Sequence, residues 1–412
     1  MKKNKYEIDM CNGTIMDKLI SFSLPLMVSG ILQLMFNAVD IIVVGRFSGS
    51  QALAAVGSTT ALINVFINLF MGISLGANVL AARYYAAGRD REMSETVHTS
   101  IMLALISGVV MAFVGVFFAK GALELMDTPA DVIDQSALYM RIYFMGMPFF
   151  MLYNYGAAIL RAVGDTKRPL YFLIIAGVIN AGLNMVLVIV FGLGVAGVGI
   201  ATVFSQFVSG GGIGLYTLKQ FPELCPRRED CKWDKHNLGT ILNLSVMTSD
   251  QQSIMNFGIL MVQGLVNSFG TAVMAAFAGA VKIDSFAYMP VQEFGNAFST
   301  FIAQNFGAKR YGRIRKGIRS AAATSAVFCI CISVLVCLFA APLIQIFMDP
   351  SQTGIVAAGV HYLHIEGACY LGIGMLFLLY GYYRAVNQPG MSVILTIASL
   401  GTRVALAYLL SA

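Results

Sequence analysis

The sequence predicts an all-α membrane protein built from two parallel six-helix repeats, and three observations carry that expectation. Of 412 residues, 58% are hydrophobic and only 12% charged, where an ordinary soluble domain has about 45–50% and ~25%. The apolar residues fall into eleven segments, most of them bounded by Gly, Pro or clusters of charge. The two halves of the chain resemble each other at an offset of about 221–223 residues. This composition excludes a disordered chain and fits a soluble enzyme poorly. With only 4 His, a His-rich metal enzyme is also disfavoured.

A membrane-crossing helix needs about 20 apolar residues. Residues 1–18 hold Lys2, Lys3, Lys5 and Lys18, but no short apolar stretch with a small-residue cleavage site follows. The first span, 19–44, is therefore a retained helix rather than a signal peptide. Spans 52–80, 97–119, 137–160, 169–191 and 194–217 complete the first half. Residues 219–238, rich in charge, separate an N-terminal lobe (1–218) from a C-terminal lobe (239–412). The second half offers 239–265, 271–303, 320–346, 359–383 and 391–411. Several segments exceed the minimum length, so some must tilt or kink. Pro25, Pro148 and Pro290 mark the expected kink sites.

Lys and Arg set the orientation, because cytoplasmic loops are enriched in them. With the N-terminus inside and the spans alternating, 22 of the 27 basic residues fall in inside segments. Arg46 and Lys120 fall outside, and Arg141, Lys282 and Arg403 lie within spans. The net charge of +6 is thus a positive-inside signature and not a nucleic-acid footprint. The basic run from Lys309 to Lys316 reads as a loop near anionic lipid. The seven cysteines, Cys11, Cys225, Cys231, Cys329, Cys331, Cys337 and Cys369, fall inside or within spans. They are expected as free thiols, without a zinc spacing or an extracellular disulfide.

The repeat rests on ordered matches. Gly49-Ser-Gln-Ala-Leu-Ala-Ala aligns with Gly270-Thr-Ala-Val-Met-Ala-Ala, and Ala82-Arg-Tyr-Tyr-Ala-Ala with Ala303-Gln-Asn-Phe-Gly-Ala. Asp127 aligns with Asp349, and Arg161-Ala-Val-Gly-Asp-Thr with Arg384-Ala-Val-Asn-Gln-Pro. Such repeats are a signature of transporters. Six spans return the chain to its starting side, so the repeats run parallel. The counterpart of span 194–217 would fall near 416–440, past Ala412. The chain is therefore expected to be a shortened form that lacks the twelfth span, in preference to a natural eleven-span variant.

Polar residues inside spans are functional candidates, since ionisable groups are costly in a bilayer. In the first span Ser29, Gln33, Asn37 and Asp40 share one helical face. Asp40 could hold a proton or a sodium ion. Asn180 and Asn184 share a face of the fifth span, and Thr202 lies in the sixth. Their oxygens could complete a hard-cation site with Asp40. The second half offers Asp250, Gln252, Asn256 and Gln263, then Lys282, Asp284 and Glu293, then His361, His364 and Glu366. Gln33, Asn37, Gln252, Asn256, Asp284, Glu293 and Glu366 form a candidate substrate-cavity set. Helix-packing hydrogen bonds and structural ion pairs, such as Lys282 with Asp284 or Asp250, are the plainer reading of several of them. The two His read as interfacial. The Gly210-Gly-Gly-Ile-Gly run lies in an apolar span and reads as close helix packing. No Walker A sequence is present, so an ATP-driven pump is disfavoured, and no nucleophile–base pair suggests an enzyme.

Leu24-Pro25, the run Val39-Asp40-Ile-Ile-Val-Val-Gly45-Arg46, Gly49 to Gly57, Arg161-Ala-Val-Gly164-Asp165 and the six-plus-six repeat together resemble the multidrug and toxic compound extrusion (MATE) transporters, the bacterial branch in particular. The resemblance runs from about residue 14 to the end. It implies two six-helix lobes around a central cavity and export of organic cations and other amphipathic drugs against inward Na+ or H+ flow. It implies no cofactor, a monomer, and a place in the bacterial cytoplasmic membrane. Asp40 matches the family's first-helix carboxylate, and Asn180 and Thr202 match its oxygen partners. Asn184 stands where some members carry a second Asp, which removes one charge from the site. The rival readings are a flippase of the same superfamily for lipid-linked oligosaccharide and a non-transporting membrane protein.

Overall fold

In an apolar solvent every backbone N–H and C=O must be paired within the chain, which leaves helices as the natural element for this composition. The computed structural model describes residues 7–126, 128–220, 235–267, 269–346 and 353–411. Every regular element among the described residues is helical. The first half runs α1 (Ile15–Phe47), α2 (Gly49–Ala87), α3 (Asp90–Leu125), α4 (Ile133–Met145), α5 (Met147–Ala162), α6 (Lys167–Met185) with a π-helical turn at Val186–Val190, and α7 (Gly194–Gln220). The second half runs α8 (Lys235–Asn267), α9 (Thr271–Gly307), α10 (Tyr311–Leu338), α11 (Ala340–Gln345), α12 (Thr353–Ala368), α13 (Tyr370–Ala385) and α14 (Pro389–Ser411). By length and hydropathy among the described residues, α1, α3, α6 with its π turn, α7, α10 and α14 can each cross a bilayer. The pair α12 and α13 adds a further span bent by 48°.

Each of the eleven apolar segments is helical, but three of them are broken. Segment 137–160 divides between α4 and α5 at Gly146. Pro148 lacks the amide hydrogen that would close the next helical turn, and Gly146 N–H bonds to Tyr143 O instead. Segment 359–383 divides at Cys369, with no proline present; there the chain tightens through Cys369 N–H to Glu366 O. Segment 320–346 divides at Phe339. Pro25 and Pro290 lie inside helices that continue through them.

The backbone carries the repeat as clearly as the side chains do. Positive φ angles recur in pairs: Gly49 (86°) with Gly270 (93°), Gly88 (68°) with Lys309 (56°), and Gly164 (101°) with Asn387 (66°). The helix break at Gly146 recurs at Cys369. A duplicated turn keeps its left-handed residue even where glycine has been replaced, because the flanking helices fix its direction. Asn tolerates that conformation through local hydrogen bonding, whereas Lys does not gain this relief.

Two compact units are present. One comprises Met1–Ile8 and Leu32–Ser249, the other Asp9–Ile31 and Asp250–Ala412. Their borders fall between Ile8 and Asp9, inside α1 and inside α8; of the expected separating segment 219–238, residues 221–234 lie outside the described residues. In the first unit α5 packs on α2, α3 and α7, and α6 packs on α7. Its core centres on Met140, Phe144, Met147 and Tyr155, all at most 1% exposed. In the second unit α9 packs on α10, α12 and α13, and α13 packs on α14.

The Gly210 run does serve close packing: a Cβ at Gly210 would stand 2.2 Å from Phe149 O, and one at Gly212 2.8 Å from the Phe172 ring. The basic run at 309–316 is more engaged than a loop facing lipid would be. Arg310 donates to Cys11 O at 2.6 Å, and Arg313 to Met10 O at 3.0 Å and Gly13 O at 2.8 Å. Cys11, Cys329, Cys331, Cys337 and Cys369 are free thiols. Cys225, Cys231, Asp127 and Asp349 lie outside the described residues.

The turn between α5 and α6 buries Asp165 completely. Arg168 binds it through Nη1 at 3.0 Å and through its own amide at 3.2 Å. Burial pushes the Asp165 carboxyl above its ordinary value, while the Arg168 bonds and charge oppose that rise. Arg168→Met removes the ion-pair partner and leaves a buried carboxylate held only by backbone N–H groups and the more distant Lys167 charge. It should cost about 3 kcal/mol, read as a lower thermal unfolding temperature in detergent. Protonating Asp165 removes the unpaired charge, so the deficit should shrink as pH falls and be largest at neutral and alkaline pH. A second prediction concerns the duplicated turn. Lys309→Gly should stabilise and Gly88→Lys should destabilise, each by about 1 kcal/mol, measured in the same unfolding assay.

Candidate functional site

Helices α6 and α7 place Asn180, Asn184 and Thr202 inside the first unit, and the last turns of α1 bring Asp40 to them. The four sequence-predicted residues form one continuous chain of hydrogen bonds. Thr202 Oγ1 is donated to by Asn180 Nδ2 at 3.4 Å and itself donates to Val198 O at 3.0 Å. Asn180 Oδ1 accepts from Asn184 Nδ2 at 3.1 Å, and the same Nδ2 donates to Asp40 Oδ1 at 2.5 Å. A carboxylate can only accept, so this order fixes how both amides face. Asn184 is fully buried, and its Oδ1 has no hydrogen-bond donor. A buried acceptor without a donor is costly. Beside a carboxylate, it is the arrangement that an acid proton or a hard monovalent cation would satisfy.

Sequence reasoning missed three neighbours. Tyr139 and Tyr143 on α4 lie close enough to Asp40 for its charge to act on them. Gln206 on α7, 8% exposed, lies near enough to Tyr143 to act on its hydroxyl. The signal was present: Tyr139 and Tyr143 are four residues apart, on one helical face.

The remaining candidates separate. Ser29 is buried and bonds back to Pro25 O at 2.8 Å within α1, in the second unit. Gln33 and Asn37 are exposed and lie outside the bonded chain in the first unit. Gln252 and Asn256 are half-buried on α8, and Asp250 is exposed. Asp284, 6% exposed, accepts a short hydrogen bond from Tyr370 OH. Lys282 is exposed and forms no structural pair with it; residues two apart on a helix do not face each other. Glu366 is half-buried and ion-paired to Arg403 at 3.3 Å, and Arg403 also donates to Tyr362 OH at 3.5 Å. Glu293 packs its stem near Gly30 of α1 and lies within electrostatic reach of Arg384. His361 and His364 are exposed, the latter with Nε2 at 3.0 Å from Cys337 O. Asp284 and Glu366 are therefore engaged within the second unit.

This carboxylate–amide–hydroxyl chain lies inside a duplicated helical bundle, and comparison with known proteins decides the family. The MatE family profile matches residues 25–186 and again 250–409, once in each half. The chain belongs to this family. Among relatives, "Probable multidrug resistance protein YoeA" of Bacillus subtilis is 31% identical over 400 residues, covering 95% of this chain and 86% of its own. "Probable multidrug resistance protein YpnP" of the same organism is 27% identical over 399 residues, covering 95% and 87%. Among solved structures, a MOP superfamily transporter from Pyrococcus furiosus superposes with TM-score 0.92 at 20% identity, covering 100% of this chain and 91% of that one. The MatE chain is thus a multi-pass membrane protein of a transporter family. Its fold matches that of solved transporters.

Proposed function

We propose that the chain is a secondary antiporter that exports organic cations and other amphipathic drugs in exchange for H+ or Na+ taken at Asp40. The observation that carries this reading is the Asp40–Asn184–Asn180–Thr202 chain with its donorless Asn184 oxygen. With Asp40 ionised and no ion bound, one negative charge sits among apolar helices. Taking up the ion neutralises it and supplies what the amide oxygen lacks. Coupling follows if the ion-loaded and drug-loaded forms favour different arrangements of the helices. The names of YoeA and YpnP support a drug as cargo. Gln33, Asn37, Gln252 and Asn256, polar and without charge, are assigned to meet the cargo, with Glu293 as its acidic contact. In this reading the membrane is the cytoplasmic one and the N-terminus lies inside, an orientation that the distribution of Lys and Arg supports.

The test is efflux of a fluorescent organic cation from vesicles carrying the protein under separately imposed proton and sodium gradients. Gradient-driven efflux should be lost in Asp40→Asn, and the gradient that drives it in the unaltered protein identifies the ion. Asn184→Asp adds a second carboxylate at the site and should strengthen dependence on Na+. Equal gradient-driven efflux by the unaltered and Asp40→Asn proteins would overturn the reading.

A further inference from the structure

The second unit contains an ionisable cluster that the Asp40 reading does not use. It draws on four helices: Asp284 from α9, Tyr362 and Glu366 from α12, Tyr370 from α13 and Arg403 from α14. Tyr370 is 4% and Asp284 6% exposed, and the two are joined through the tyrosine hydroxyl. Arg403 Nη2 reaches Glu366 Oε1 at 3.3 Å and Oε2 at 3.4 Å, and Tyr362 OH at 3.5 Å. The Tyr362 ring is fixed edge-on by Phe277 at 5.2 Å.

The repeat shows what this cluster is. At the offset of 223 residues that carries Arg161 onto Arg384, Tyr139 falls on Tyr362, Tyr143 on Glu366 and Asn180 on Arg403. Three of the five cluster residues, Tyr362, Glu366 and Arg403, occupy the same repeat positions as neighbours of Asp40, with an amide replaced by a guanidinium and a phenol by a carboxylate. Those two replacements cancel in charge. Asp284 is then the surplus: two acids face one base. Glu366 and Arg403 satisfy each other in bonding geometry, and a guanidinium keeps its proton in proteins. Asp284 accepts from the neutral Tyr370 hydroxyl, and among the described residues no guanidinium or ammonium lies in ion-pair contact with it; Arg403 acts on it only from beyond that distance. On its own helix Lys282 is exposed and Tyr288 is neutral; α10 contributes the thiol of Cys329 near Tyr370, and α11 has no ionisable side chain. A surplus negative charge at a nearly buried position inside a bilayer calls for one more cation.

We propose that the second unit carries its own exchangeable proton on Asp284, held by Tyr370, while Arg403 serves as the resident counter-cation of Glu366. The two halves then use one duplicated frame in two ways. The Asp40 position exchanges its compensating ion with an all-neutral surround, and the Asp284 position works beside a permanent ion pair.

Difference infrared spectroscopy of the purified protein in lipid nanodiscs, titrated with pH in an Asp40→Asn background, tests this without requiring transport. A protonated-carboxyl C=O band should be present at low pH, vanish as pH rises, and be lost in Asp284→Asn. Arg403→Gln frees Glu366 from its partner and should add a second such band. Tyr370→Phe keeps the carboxyl and removes only the hydroxyl, so the Asp284 band should shift in frequency and persist. That variant also answers the question if Asp284→Asn fails to fold. Survival of the full band set in Asp284→Asn, or an unchanged spectrum in Tyr370→Phe, would overturn the proposal. Suppression of the band by Na+ at fixed pH would overturn the choice of a proton. Because Asp40 is absent throughout, failure here leaves the Asp40 reading standing, and failure of that reading leaves this one standing.

Discussion

Compensating charge in a solvent that offers none is the constraint on which the rest of this structure depends. An isolated charge in the bilayer centre costs several kcal/mol at least, and an unpaired polar group in hydrocarbon is also expensive. The intramembrane acids that draw on neighbouring helices obey this rule in distinct ways. Asp40 takes an amide N–H, Asp284 a phenol and Glu366 a guanidinium. Each solution needs a partner from another helix, so each acid also dictates how helices meet. The contacts of α6 with α7 and of α9 with α12 and α13 run through positions that hold these partners.

The duplicated frame explains why such solutions can differ while the fold does not. The features that set helix direction recur with little change: the left-handed residues at the ends of α2 and α9, those after α5 and α13, and the breaks at Gly146 and Cys369. These are backbone constraints, tolerant of most side chains as long as the turn survives. Lys309 and Asn387 show that tolerance. The interior positions are the ones that diverged, since polar partners can be exchanged in pairs without moving a helix axis.

Much of this was legible in the sequence because it is local or periodic. The apolar segments marked where helices run, and the four-residue spacing of Asn180 and Asn184 placed both amides on one face. Spacing alone could not show that they converge on Asp40; the family resemblance implied it, and the hydrogen-bond chain brings the four residues together. What could not be read is tertiary. Nothing in hydropathy shows that α1 divides between two units at Ile31 and Leu32, because packing preference changes there and apolarity does not. The break at Cys369 lacks the proline that announces the one at Gly146. The spacing of Tyr139 and Tyr143 gives them a shared face but not an acid to face, and Tyr370 has not even that, since a tyrosine is amphipathic and its hydroxyl shows its use only beside an acid. Arg403 was visible as a basic residue inside a span, but its partner lies 37 residues earlier, at a distance no helical period spans. Alignment with Asn180 one repeat back would have given its place.

The replacement of Asn180 by Arg403 across the repeat bears on how a duplicated transporter can divide its labour. A group biases a conformational equilibrium only if its interaction differs between the two states. A guanidinium never gives up its proton under physiological conditions, so Arg403 cannot cycle, and an acid paired to it has little reason to. Any cycling charge in the second unit has to belong to an acid outside that pair, and Asp284 meets this requirement by position. In the first unit the described partners of Asp40 are neutral amide, hydroxyl and phenol groups, so none of them supplies the fixed positive charge that Arg403 gives Glu366. Across the repeat an amide becomes a fixed cation at Arg403, a phenol becomes an acid at Glu366, and a further acid stands at Asp284 on the second helix of that half, so the two units hold their acids on different helices.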